Sequence, residues 1–297
     1  MISYFLNDHV RRELVYLYIA YAEWDNAALN TIEHSADAWD HQQFRDVLSK
    51  VANAEIFYKA LSFYQEQHPT LLTDLLTALI PRIDHSRVVS MFRHSDNLPL
   101  VRAYLIAVQN LDVAAVNEAV HDLLIEEEDW QTLLDVIDQY QNFDHLSLAK
   151  RLEQHELLAF RRIAAHLFKV NRKYEDSINL SKSDKLYIDA IITASTSEDV
   201  QVSEDLLSYW VDIGNKELFT AHLYLCFKLV RPDVVEELAW FNALEDFAKP
   251  YQFELRRQTQ ERIKALEKKV EEQANKTAKK EEDEDSQPIM GPGFNVS

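Results

Sequence analysis

Glycine is nearly missing from this chain: three in 297 residues, two of them, Gly291 and Gly293, within the last seven. Gly214 alone lies in the body. Hairpins, bulges and phosphate-cradling loops need glycine for their positive φ angles. A strand-rich or doubly wound fold is therefore excluded, and a Gly-rich nucleotide loop with it. The single cysteine, Cys226, excludes an internal disulfide and any cysteine-rich zinc site, and is consistent with a reduced cytosolic setting. Positive charge is also short: 31 Lys and Arg face 50 Asp and Glu, a net charge of −19, which argues against a nucleic-acid backbone or an anionic membrane as partner. No apolar run is long enough to span a bilayer; the most apolar stretch, Leu218–Val230, contains His222 and Lys228. The opening MISYFLNDHVRREL lacks the basic-then-apolar pattern of a secretory signal.

What remains is helix-forming sequence. Short amphipathic stretches recur at Val10–Glu23, Ala54–Gln65, Leu71–Ile80, Leu98–Gln109, Trp130–Tyr140, Glu156–Lys169, Val202–Val211 and Glu217–Leu229. Between them stand cap and turn residues such as Asp84-His85-Ser86, Asn142-Phe143-Asp144 and Arg231-Pro232-Asp233. Helices this short are unstable alone and must stack on neighbours. A shift of about 146 residues superimposes the apolar pattern on itself: Leu61-Ser62-Phe63-Tyr64 falls on Leu207-Ser208-Tyr209-Trp210, Val88-Val89 on Val234-Val235, and Leu72 and Leu79 on Leu218 and Leu225. Two long repeats of helix pairs predict an all-α fold, an α-solenoid in which each hairpin buries its face on the next. Tyr4, Phe5 and Leu6 open the chain without a polar capping helix, which suggests a fragment of a longer array.

Pro250–Lys280 differs from the body. It reads as one long, mostly polar helix with Pro250 at its first position and a thin stripe at Leu255, Thr259, Ile263, Leu266, Val270 and Ala274. Such a stripe resembles the seam between a few associated helices, and its period near eleven predicts helices that run straight or coil gently right-handed. The acidic block Glu281–Asp285 and the following SQPIMGPGFNVS carry no core-forming pattern and predict a disordered tail, 281–297.

No catalytic constellation stands out. Asp84-His85-Ser86 are adjacent letters rather than a spatial triad, and the eleven histidines show no metal-ligand spacing. No cofactor is expected. His85, His145 and His155 are candidates for titration near neutrality. Glu126-Glu127-Glu128-Asp129 reads as a helix N-terminus whose carboxylates complement the dipole. Trp24, Trp39, Trp130, Trp210 and Trp240 read as core anchors.

Several segments together resemble the clathrin heavy chain: Trp39–Tyr64, Pro81-Arg82-Ile83-Asp84-His85, Ser147–Glu153, Phe160–Ala165, and above all Leu229-Val230-Arg231-Pro232-Asp233-Val234-Val235 with Ala239-Trp240 and Asp246-Phe247-Ala248. The resemblance covers about residues 9–275 and points to the family's C-terminal third. It implies a right-handed solenoid divided at 1–122 (the end of one proximal-leg repeat), 123–249 (the last repeat, running into a trimerisation hub), 250–280 (a projecting tripod helix) and 281–297. It further implies a structural coat protein that trimerises into a triskelion, binds clathrin light chain, contacts other triskelia in the lattice and meets membranes only indirectly, on the cytoplasmic face of coated vesicles and pits. The trimer contacts it implies are Leu218, His222, Leu225, Cys226, Leu229, Trp240, Phe247, Leu255, Ile263, Leu266 and Val270, with Glu217–Phe247 supplying most of the apolar content. Cys226 also reads as a packed core thiol. The light chain is expected somewhere along Ala54–Gln141. The family's N-terminal β-propeller and distal leg have no counterpart in this sequence, and its chaperone-recruiting tail only begins, at Gln287–Met290. A non-trimerising α-solenoid scaffold and an all-helical enzyme are the alternatives.

Overall fold

A computed structural model describes residues 8–34 and 39–285, and of residues 8–11 and 275–285 the backbone alone. The opening Tyr4–Leu6 and the tail from Ser286 onward lie outside the described residues. Among the described residues the chain is built of helices alone, joined by short turns, the all-α solenoid architecture that the sequence predicts. It divides into two compact units, Met1–Ile163 and Ala164–Ser297.

The first unit holds α1 Asp8–Ala20, α2 Trp24–His34, α3 His41–Leu48, α4 Ala54–Gln67, α5 Leu72–Leu79, α6 His85–His94, α7 Arg102–Val108, α8 Ala114–Glu126, α9 Trp130–Gln139 and α10 His145–Leu152. α11, Leu158–Val170, carries the division between the units. The second unit continues with α12 Tyr174–Ser183, α13 Tyr187–Ser197, α14 Val200–Asp212, α15 Lys216–Leu225, α16 Pro232–Phe241 and α17 Glu245–Asp285. The repeat read from the sequence has a structural counterpart: the starts of α3, α4 and α6 recur about 146 residues later at α13, α14 and α16. Tyr64 and Trp210, paired by that shift, are both fully buried, and both hydrogen-bond a histidine.

Helix starts follow short polar side chains. Asp40, Asn53, Asp84, Asp144, Asp199 and Asn215 each accept a hydrogen bond from a backbone N–H in the first turn of the following helix. Most of these helix ends use a left-handed residue other than glycine. Ala22, Asp96, Glu128, Arg172, Lys185 and Ala243 have φ of 53–60°. At each, that residue's N–H and the next one's bond back to the last turn, as in Glu128 to Ile125 O and Asp129 to Leu124 O. Gly214 plays the same part after α14.

In the first unit arginines tie neighbouring hairpins together. Arg45 pairs with Asp74 at 2.8 Å, Arg87 with both oxygens of Glu55 at 2.6 and 2.7 Å, and Arg102 with Glu127 at 2.9 Å. Arg82 donates instead to the carbonyls of Leu48, Ser49 and Val51, closing the C-terminal end of α3. The partners lie about thirty residues apart, the advance of one hairpin along the stack.

Four expectations change. α17 begins at Glu245, so Pro250 sits inside it rather than at its first position; there Pro250 is exposed, and water can solvate the carbonyl it leaves unbonded. Glu281–Asp285 extends the same helix, where a disordered segment is expected from composition. Only Asp129 of the acidic run caps α9, through Thr132; Glu126 closes α8, and Glu127 and Glu128 follow at its C-terminal end, where the dipole disfavours them. Of the tryptophans, Trp210 is fully buried and Trp24 and Trp39 are half-buried, but Trp130 and Trp240 are exposed.

Candidate assembly surface

The second unit has one core. Ile178, Ile191, Leu206, Leu207, Trp210 and Phe219 are buried together, and α17 closes over them with Ala248 and Tyr251. At its centre lies His222, with no exposed surface. Trp210 Nε1–H donates to His222 Nδ1 at 3.3 Å, which leaves the proton on Nε2, 2.9 Å from Ser203 Oγ. Burial lowers the imidazole pKa to about 4, so it is neutral. Cys226 is buried beside it; its Sγ donates to Ile191 O at 3.8 Å, and burial pushes the thiol pKa up.

The eleven residues proposed from sequence therefore fall into three groups. Leu218, His222 and Cys226 are interior to their own unit. Leu229, Phe247 and Leu255 are half-buried, packed against that core from its edge. Leu225, Trp240, Ile263, Leu266 and Val270 are exposed. Much of the apolar content of Glu217–Phe247 is thus already spent inside one chain. Leu225 is the instructive case: Leu79, its partner under the 146-residue shift, is fully buried, whereas Leu225 is 41% exposed.

α17 shows the same change along its length. Ala248, Tyr251 and Leu255 follow one face at helical spacing and pack inward, and Tyr251 Oη–H donates to Val230 O at 3.3 Å. The same face continues through Ile263, Leu266 and Val270, which are 49–63% exposed. Three large exposed aromatics were missed by sequence reasoning: Tyr224, Phe241 and Phe253. Phe241 lies with its ring centroid 4.9 Å from that of Trp240. Their only sequence signal is an apolar residue off the stripe that a helix needs for its core.

The histidines expected to titrate are hydrogen-bonded at or just before helix starts. His85 Nδ1 meets Tyr104 Oη at 2.6 Å, His145 Nε2 meets Gln141 O at 3.1 Å, and Leu157 N–H donates to His155 Nδ1 at 3.1 Å. Burial lowers the pKa of His222 and of His121 of α8 to about 4.

Among the described residues no group of three or more His, Cys, Asp or Glu could hold a metal ion, and no helix is long and apolar enough to cross a membrane. The fold defines the class, a helical-repeat scaffold. Residues 76–218 match the family described as "Region in Clathrin and VPS". Over 92% of its length the chain is 48% identical to clathrin heavy chain 1 of rice. It is 47% identical over 95% of its length to the probable clathrin heavy chain of Schizosaccharomyces pombe, and 49% identical over 80% to the clathrin heavy chain of Dictyostelium discoideum. The chain belongs to the clathrin heavy-chain family, one of structural coat proteins rather than enzymes. It spans only 14–17% of the length of these relatives.

Proposed function

We propose that this chain is the proximal-leg and hub portion of a coat heavy chain, acting by rigid extension and self-association. The helical boundary between its repeats lies near 122/123, and three copies join through the second unit and α17 into a triskelion. Triskelia then assemble into the lattice on the cytoplasmic face of coated vesicles and pits in endocytosis and intracellular transport, with membrane contact only indirect. Clathrin light chain lies along the first unit, within Ala54–Gln141, where Leu100, Ile106, Leu111 and Trp130 are exposed.

The observation that carries this reading is the handover on α17. A helix face that is core through Leu255 continues through Ile263, Leu266 and Val270, which no described residue of the chain covers. Burying Ile263, Leu266 and Val270 in a partner contributes about 1.5–3 kcal/mol each, against an association cost of about 4–15 kcal/mol. The stripe alone is therefore marginal. Trp240, Phe241 and Leu225 must add to it, and α17 is the projecting axis of the trimer rather than its main glue. The test is the variant I263E/L266E/V270E, with W240A beside it. Light-scattering mass should fall toward that of one chain at unchanged helicity; an unchanged mass in both variants would remove α17 and Trp240 from the interface.

A further inference from the structure

A second site lies in the first unit. α6, α8 and α10 enclose a polar cleft of about 390 Å³, within the size range of small-molecule sites. Arg93 of α6 and Arg151 of α10 meet there on one carboxylate: Arg93 Nη2 donates to Asp122 Oδ2 at 2.6 Å and Arg151 Nη1 to Oδ1 at 2.7 Å. Two guanidiniums sharing one carboxylate leave one positive charge uncompensated. They also leave N–H donors free on both arginines, which stay about half exposed. The N-terminal turn of α10 adds its dipole and Ser147, an exposed hydroxyl in the lining.

The remaining lining is of the opposite kind. Glu118 faces the cleft, and so does Asp144, whose Oδ1 is already taken by the N–H groups of Leu146 and Ser147. His121, 2% exposed, also lines it, and its Nε2 has no hydrogen-bond partner. That nitrogen has no accessible surface of its own, so Glu118 is the acceptor that the cleft offers. Counted whole, the lining holds three carboxylates against two guanidiniums, so a bare dianion is poorly matched. A ligand presenting a phosphate at one end and hydroxyl donors at the other matches both halves.

We propose that this cleft binds a phosphorylated polyol, with the phosphate held by Arg93, Arg151 and Ser147 and the hydroxyls by Glu118. This goes beyond the coat function and does not depend on trimerisation. The test is calorimetric titration of the full chain with myo-inositol 1-phosphate, inorganic phosphate and unphosphorylated myo-inositol. The phosphate ester should bind about tenfold more tightly than either of the others, since the bonds to the arginines and those to the carboxylate add only in the ester. R93Q/R151Q should weaken the ester about tenfold or more, and E118Q should erase its advantage over inorganic phosphate. R151Q alone, which leaves the Arg93–Asp122 pair in place, serves if the double variant loses helicity. No saturable binding of the ester, equal binding of inorganic phosphate, or ester binding that survives loss of the arginines would overturn the proposal.

Discussion

Glu204 and Arg231 are joined twice: Glu204 Oε1 accepts the backbone N–H of Arg231 at 3.2 Å and its Nε–H at 2.9 Å. Arg231 is the residue before Pro232, at the start of α16, and has no cap from its own side chain. α14 therefore supplies the cap for α16 across 27 residues, through a carboxylate that is 10% exposed. Glu204→Ala should cost the second unit about 1–3 kcal/mol, the loss of two bonds to a partly buried carboxylate. Arg231→Lys, which keeps the backbone bond, should cost less. Urea unfolding of both variants checks the order; equal midpoints for wild type and Glu204→Ala would show that the contact contributes nothing.

His222 and His121 make stability depend on pH. Each has a folded pKa near 4 against an ordinary value of 6.5, so between these the unfolded chain binds the extra proton. The stability of neutral burial is fully present above pH 6.5 and is lost as pH falls toward 4. At pH 5 the loss is about 2 kcal/mol for each histidine. Urea midpoints at pH 7.5 and pH 5 measure it. In His222→Gln the pH-dependent loss should be about halved, whatever its stability at pH 7.5.

The left-handed helix ends predict stabilising substitutions. A non-glycine residue at that φ costs about 1 kcal/mol relative to glycine. Ala22→Gly, Glu128→Gly and Ala243→Gly should each raise stability by about 0.5–1 kcal/mol. Glu128→Gly should gain most, because it also removes a negative charge from the C-terminal end of α8. Thermal unfolding reads the shift, and a lowered midpoint at all three positions would contradict it.

Arg82 predicts the reverse. Its guanidinium serves three carbonyls at the end of α3 and lies 5.2 Å from the centre of the Phe57 ring. Arg82→Lys cannot reproduce a planar fork and should destabilise the first unit by about 1–2 kcal/mol. Circular dichroism with urea checks it.

Helix starts were legible in the sequence and helix ends were not, for a physical reason. Asp84 or Asp144 before an apolar stripe marks a cap through its side chain. A left-handed Ala22, Lys185 or Ala243 carries no chemical mark, because the bonds that hold it are backbone to backbone. The same limit divided the candidate site. Leu218 and Leu225 are both apolar residues of α15, seven positions apart, yet one is core and the other exposed, and the difference depends on where α13, α14 and α17 lie. In a stack of hairpins each helix has two faces with a neighbour to meet. Periodicity reports the apolar face but not whether a neighbour of the same chain covers it. Tyr224, Phe241 and Phe253 became visible only once the core was filled without them.

Sedimentation equilibrium of the 297-residue chain at micromolar concentration tests most directly whether the uncovered face of α17 and the exposed Trp240 and Phe241 meet other copies. The expected mass is roughly three times 34.7 kDa. A single species of 34.7 kDa across the range would contradict self-association and leave a non-trimerising scaffold in its place.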